Sequence, residues 1–438
     1  MNSMIFLFDR VHKYGYTFKV HLLNRTIVVT TDFEAIQELM VSGNHPKAPK
    51  IYKRVQTMFG MRFLGNGLVT DLNEKRWARK RALMNQAFSK KYLAGLLDDF
   101  NEGADQMVQK ACKLAEEKRK YAAMDLMSQT TLDILGKVAF GKDLHSLQDD
   151  KSPLTKAVYT TLGAFSWQNK DPFARYNPLQ WKRRQEAWDA VKLLRTTGTE
   201  WLRERRKAIK RNDVTPPDIL NHIAILLDEN EDIDFEDIVD DFCTFYIAGM
   251  ETTATLCSFF IMAVEKHPEV KKKLLQEIDS VLGSKPYVSQ EDLNKMTYLS
   301  MAIKETLRLY PPAPNTSRSN VKDCKVGGYI VPAGSNIFLS TYVSSRLPEY
   351  NKDPLVFRPE RFDSKSDERP PIYSYFPFTL GPRICIGQTF AKIEARIMLS
   401  KLYQRVNIHL EPGQTLEIEE RSTLRPKDGL VCTFSLRE

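Results

Sequence analysis

The chain has 438 residues, 42% hydrophobic and 27% charged, with 20 Gly and 22 Pro, which fits an ordinary folded protein and excludes disordered and collagen-like classes. Its six cysteines are dispersed with no CxxC pair, which excludes a disulfide framework and a cysteine-based zinc site and points to a reducing compartment. The formal charge of +9 suits an anionic membrane or an acidic protein, and without zinc-finger spacing, an RNP-like aromatic pattern or a basic tail no nucleic-acid partner is expected.

The amino-terminal "MNSMIFLFDRVHKYGYTFKV" holds too few consecutive apolar residues for a signal peptide or a membrane span. Residues 17–31 alternate around an Asn24-Arg25 turn, which predicts paired strands, and residues 32–42 read as a short helix. "GNGLVT" at 65–70 is the nearest approach to a dinucleotide fingerprint, but it lacks the third glycine and the strand-turn-helix frame and reads as a turn.

From about 73 to 285 the pattern is almost wholly helical. Positive charge concentrates in "RWARKR" (76–81), "WKRR" (181–184) and "RERRKAIKR" (203–211), mostly as solvated helix faces. Phe165, Trp167, Phe173, Tyr176 and Trp181 gather in a Pro-broken connection that is either core or a membrane-dipping patch. Residues 242–264 carry a single charge, Glu251. A mid-span carboxylate costs about 2.5–3.5 kcal/mol in a bilayer, so a long buried helix is expected there. Within it, "AGMETT" (248–253) has a mid-helix glycine that would ordinarily be a packing notch. Residues 319–345 return to short strands with Gly and Pro turns, and no repeat or linker divides the chain, so one mainly helical domain with small β-sheets over 1–438 is the simplest account.

Near the carboxyl end stands "FTLGPRICIG", residues 378–387. An isolated buried cysteine usually packs as a small hydrophobe. Here Phe378, Gly381, Arg383, Cys385 and Gly387 form F-x-x-G-x-R-x-C-x-G, whose chance expectation is on the order of 10⁻⁴. The two glycines would let the backbone approach something flat and take turn dihedrals, Phe378 would cover the sulfur, and Arg383 would pair with a carboxylate. The periodic run from residue 388 predicts a helix whose first N–H groups would lower the Cys385 pKa.

This loop resembles that of the cytochromes P450, in which the cysteine thiolate binds haem iron, and the family's other motifs follow in order. "KETLRLYPP" and "FRPERF" look like the family's buried network, with Glu305, Arg308 and Arg361 as its members. The resemblance implies the P450 fold, with haem b between the long helix and the loop of Cys385. It also implies contacts to the haem propionates from Trp77, Arg81 and Arg318. Ala248 and Gly249 would make room over the haem, and Glu251 with Thr252 would deliver protons during insertion of one atom of O2 into a C–H bond. Electrons would come from NADPH through a separate NADPH-cytochrome P450 reductase, docked on a basic face carrying Lys75, Arg76, Arg79 and Lys80.

Four longer segments, within 52–69, 309–318, 340–357 and 374–402, are similar to the cholesterol 24-hydroxylase branch of that family. By that resemblance Tyr52, Val55, Leu64, Val69, Ala248, Ala313 and Thr423 line a sterol pocket, and Pro314 replaces a bulky aromatic residue. The branch implies the cytosolic face of the endoplasmic reticulum membrane. The amino-terminal membrane helix and Pro-rich hinge usual there are expected to be missing, leaving peripheral membrane contact. Oxidation of fatty acids or xenobiotics, and isomerisation of lipid peroxides without a reductase, are the alternative readings.

Overall fold

The structure is a computed structural model that describes residues 3–22, 25–149, 152–171, 173–229, 233–421 and 423–437. Asn24, in the expected hairpin turn, lies outside them, but the strands on either side pair as expected, Thr17 opposite Thr30 and Phe18 opposite Val29. This hairpin is extended by strand Asn336–Ser340, parallel to Arg25–Thr30, and then by Asn315–Ser319, antiparallel. Ala35, Ile36, Leu39, Met40, Ile337 and Leu339 form a small core of their own against this sheet.

The main core is helical and centres on Phe235–Glu265. Asp234 caps this helix by accepting the Glu236 N–H, and Glu236 and Asp237 occupy the first turn, where unpaired N–H groups favour negative charge. It packs against helices Ala123–Phe140, Trp181–Lys210, Thr297–Leu309 and Gln388–Arg405, which is why it is apolar nearly all round. By length and composition it could cross a membrane, yet 83% of its most apolar window is buried inside the protein.

The aromatic connection splits between its two readings. Trp167, in helix Pro153–Lys170, is buried with its ring 4.7 Å from that of Phe59. Phe173 (73% exposed), Tyr176, Leu179 and Trp181 stand out in water.

Glu305 has no exposed surface and is met from three directions. It accepts from Arg308 Nε and Nη2 at 2.7 and 2.8 Å, from Arg361 Nε at 2.9 Å and from the Arg358 N–H at 2.9 Å. The remaining guanidinium hydrogens reach the carbonyls of Ser345, Lys352, Pro354 and Val356, so the whole segment 345–361 hangs on this carboxylate. Glu305→Gln would leave two buried cations short of their anion, a loss of about 3–5 kcal/mol. We expect the denaturation midpoint to fall accordingly, whereas Glu291→Gln, in the exposed Glu291-Lys295 pair, should leave it unchanged.

Candidate active site

Cys385 sits in a tight loop. Its N–H donates to the Phe378 carbonyl at 2.9 Å, and the Ile384 N–H to the Gly381 carbonyl at 3.0 Å. Gly381 has φ +69°, and a Cβ there would stand 1.9 Å from the Met40 carbonyl oxygen, so glycine is required on both counts. Thr379 holds φ 62° and donates from its hydroxyl to the Arg383 carbonyl at 3.0 Å, a strain of roughly 1–3 kcal/mol kept in place by its neighbours. Gly387 departs from expectation: its φ is −79°, and an added Cβ would only touch Cys385 Sγ at 3.9 Å. Phe378 is half-buried with its ring 5.5 Å from the Lys392 ammonium.

The thiol is not acidified, contrary to the sequence argument. Burial pushes the Cys385 pKa up, and the Gly387 N–H, Arg81 and Lys47 pull it down without prevailing. The residue nonetheless keeps exposed surface, so the crowded cysteine is not sealed in the core. Among the described residues no group of three or more His, Cys, Asp or Glu could hold a metal ion. A single thiol is the donor that haem iron, already held by its porphyrin nitrogens, takes from a protein, and coordination deprotonates it.

Four cations gather beside this loop. Arg383 is buried, 3.7 Å from the Trp77 ring centroid, with Nη2 2.7 Å from Glu74 Oε1 and Nη1 donating to the Asp71 carbonyl at 3.2 Å. Arg318 is buried on strand Asn315–Ser319 and donates to Thr316 Oγ1 and the Ser317 carbonyl. Arg81, one turn after Trp77 on helix Glu74–Ala87, is half-buried with Nε on Asn85 and lies within electrostatic reach of Cys385. Lys47 is buried too, donating to the Val69 carbonyl at 2.6 Å and lying 4.4 Å from the Tyr52 ring centroid. Burial pushes Lys47 down to about 8; Tyr52 resists the fall, and Arg383 and Arg318 add to it.

Against these cations, Glu74 is the only carboxylate partner found among the described residues. The Nε atoms of Arg318 and Arg383 are buried without a hydrogen-bond partner. Uncompensated buried charge is costly, so the cluster suits an anion of more than one charge. The two propionates of haem b meet that requirement beside the thiol, and the residues fit the cofactor.

The central helix opens at one place. From Asp237 to Val264 every residue is buried except Ile247, Ala248, Gly249 and Thr252. Thr252 donates its hydroxyl to the Ala248 carbonyl at 2.8 Å, and Glu251 is buried on the neighbouring face. A Cβ on Gly249 would press on Leu135 at 3.1 Å, so this glycine is also a packing notch. Of the other pocket residues named above, Ala313 and Val69 are exposed and Val55 is half-buried. Thr423 is buried with its hydroxyl unpartnered. The Leu424 N–H donates to the Pro312 carbonyl at 2.9 Å, which brings Thr423 toward Ala313. Two residues depart from an apolar wall: Leu64 is part of the main core, and the Tyr52 hydroxyl turns to Thr316 Oγ1, 3.4 Å away, beside Lys47 and Arg318.

A family model described as "Cytochrome P450" matches residues 2–433. The chain is a member of the cytochrome P450 family. It is similar to cytochrome P450 4d2 of Drosophila melanogaster, 31% identical over 96% of this chain and 87% of that protein. It is also similar to cytochrome P450 4V2 of Homo sapiens, 29% identical over 94% and 80%. The protein LUTEIN DEFICIENT 5, chloroplastic, of Arabidopsis thaliana is 27% identical over 98% and 74%. The crystal structure of the cytochrome P450DA heme domain superposes with a TM-score of 0.90 over 99% of this chain and 93% of that one, at 22% identity, which establishes the fold.

This P450 corrects the expected basic face. Lys80, 2% exposed, donates to the Asn66 carbonyl and sits 3.1 Å from Asp241, and Arg76 pairs with Asp71 and Asp237. Lys75 and Arg79 remain exposed. Behind the cysteine loop, half-buried Lys304, Lys392 and Arg396 add positive charge that no motif marked, all with pKa values lowered by burial.

Lys47 was equally unmarked, because "NHPKAPK" reads as surface. If it holds a propionate, Lys47→Met, which keeps the length and removes the charge, should lose haem to apomyoglobin several-fold faster than the parent. Lys50→Met, exposed on the same segment, should lose it at the parent rate. Equal rates for all three would remove Lys47 from the anion site.

Proposed function

We propose that this P450 hydroxylates the side chain of a sterol, with cholesterol as the first candidate, using O2 and electrons from NADPH passed on by a separate reductase. The observation that carries the chemistry is the opening of the central helix at Ile247–Thr252, an otherwise buried helix that presents an alcohol, with a carboxyl one residue away. When bound, haem would supply oxygen activation, and the Cys385 thiolate would hold its iron. The chain's own part is to hold the propionates through Lys47, Arg318, Arg383, Arg81 and Trp77, and to hold a proton at Thr252 Oγ1 with Glu251 as the carboxyl behind it. By the resemblance Ala248, Ala313, Val55 and Val69 would form an apolar wall suited to a rigid, nearly apolar ligand, and the unpartnered Thr423 hydroxyl would offer one polar contact.

Support for the sterol comes from the four longer segments and this wall. The family-4 names of the relatives favour a second reading, oxidation of another lipophilic substrate such as a fatty acid or xenobiotic. The reductase would dock where Lys75, Arg79, Lys304, Lys392 and Arg396 concentrate positive charge. Phe173, Tyr176, Leu179 and Trp181 form an exposed apolar patch suited to peripheral contact with the cytosolic face of the endoplasmic reticulum membrane.

Cholesterol should shift the haem spectrum toward high spin and yield side-chain alcohols in a reconstituted system with reductase. Ala248→Asp should abolish the shift while leaving the CO spectrum intact, because a carboxylate covered by the bound sterol loses its water without gaining a partner, at roughly 1–3 kcal/mol. Shifts and products with fatty acids or drugs but not with sterols would select the second reading. Thr252→Ala should bind haem and substrate as the parent does, yet divert reducing equivalents to peroxide or water, measured as NADPH consumed per product formed. Unchanged coupling would reduce Thr252 to a packing role.

A further inference from the structure

The first two turns of the central helix carry three carboxylates that are almost entirely removed from water, Asp237, Asp240 and Asp241. Isolated in the core, they would cost far more than the helix gains by burial. Each is satisfied from outside its own helix.

Asp240 accepts from Arg62 Nε at 3.1 Å and Nη2 at 2.6 Å, from Arg195 Nη1 at 2.6 Å and from the Asn66 N–H at 2.7 Å. Asp237 accepts from Arg62 Nη2 at 3.1 Å and from Asn66 Nδ2 at 2.9 Å. Asp241 accepts the Leu68 N–H at 2.6 Å and lies 3.1 Å from Lys80 Nζ. The loop 62–71 therefore lies on the helix by its backbone as well as by its side chains.

The contact is close enough to exclude side chains. A Cβ on Gly65 would be 2.0 Å from Asp240 Oδ2, and one on Gly67 would be 2.3 Å from Thr244 Oγ1. Gly65 also has φ +37°. "GNGL", part of the segment that reads as a turn in the sequence, is thus a docking surface for carboxylates of the same chain.

Arg195 brings in a third element. It comes from helix Trp181–Lys210, which follows directly on the exposed aromatic patch. Besides Asp240 it reaches the Phe63 carbonyl at 3.1 Å and Glu236 at 2.6 Å. One buried carboxylate thus holds together the central helix, the loop that carries Leu64 and Val69, and the helix after the patch.

We propose that Asp240, with Arg62 and Arg195, positions the loop 62–71 and sets how fast a ligand passes into the cleft. The two halves of this clamp are unequal. Asp240 is fixed in the core with no exposed surface, while Arg62 is 41% exposed and Arg195 14%. Parting them returns guanidinium groups to water easily but strands a buried carboxylate, so the loop and the helix are drawn back together. Opening therefore requires water to reach Asp240.

The proposal rests on the reading that this loop borders the substrate site, and it is tested with a ligand that does not depend on the sterol reading. An azole that binds haem iron reports its own arrival in a stopped-flow experiment on the haem-loaded protein. Arg195→Gln frees one arm and leaves Arg62 on Asp240. It should bind and release the azole several-fold faster, with faster exchange of the Asn66 and Leu68 amide hydrogens and an unchanged CO spectrum.

Arg195→Lys keeps a cation near Asp240 and should return the rates toward the parent. Asp240→Asn should move rates and exchange in the same direction as Arg195→Gln. Parent-like azole kinetics and amide exchange in Arg195→Gln would overturn the proposal. So would a lower melting temperature with unchanged kinetics, which would make the cluster a stability element alone.

Discussion

Every charge taken out of water must be met by counter-charge or by hydrogen-bond partners, and this chain meets that requirement in three different ways. Around Glu305 the demand is met internally: one carboxylate and a set of backbone carbonyls give every guanidinium nitrogen of Arg308 and Arg361 an acceptor, and the segment 345–361 is fixed as a scaffold. Around Asp240 the buried charge is negative and its partners come from neighbouring elements, one of them partly in solvent. Around Arg318 and Arg383 the buried charge is positive, and the chain supplies only Glu74 against it. The first arrangement is rigid, the second joins parts that can separate, and the third calls for a ligand.

The same accounting locates the chemistry. The central helix is buried at every position from Asp237 to Val264 except a short window of small and hydroxyl-bearing residues. The helix that follows Cys385 packs against it, and desolvation pushes up the pKa of the buried Glu394 on that helix, close to Thr253. The window is where a hydroxyl of this helix escapes the packing that encloses the other polar side chains between Asp237 and Val264. Cys385, on the far side of a strained turn, owes its position to the left-handed dihedrals of Thr379 and Gly381 and not to any electrostatic advantage for its thiolate.

Much of this was legible from residue order. The cysteine loop, the Glu305-Arg308-Arg361 set, the long apolar helix and the strands after residue 315 each have a signature of spacing or periodicity that survives folding. The sequence failed where burial decides. Lys80 sits among exposed basic residues in the chain and is among the most buried side chains in the protein. Lys47 and Arg195 belong to no motif, yet each bridges separate elements. Trp167 and Phe173 are six positions apart in one aromatic run, and one is core while the other faces solvent.

By itself, then, the sequence determined the family and the helical character of the chain, and marked Cys385 as the candidate iron ligand, because these rest on local spacing and on periodicity. The tertiary structure decided which charges are free, which are paired and which await a partner. Pairing across Arg62 and Asp240, or across Arg383 and Glu74, joins residues 178 and 309 positions apart, and desolvation depends on every element that closes over them. For that reason Cys385 is less acidic than its place at a helix start suggests, and Tyr52 is a neighbour of cations where an apolar wall was expected. A one-dimensional pattern carries the identity of a charged group, but the free energy of that charge is set by how completely the fold removes it from water.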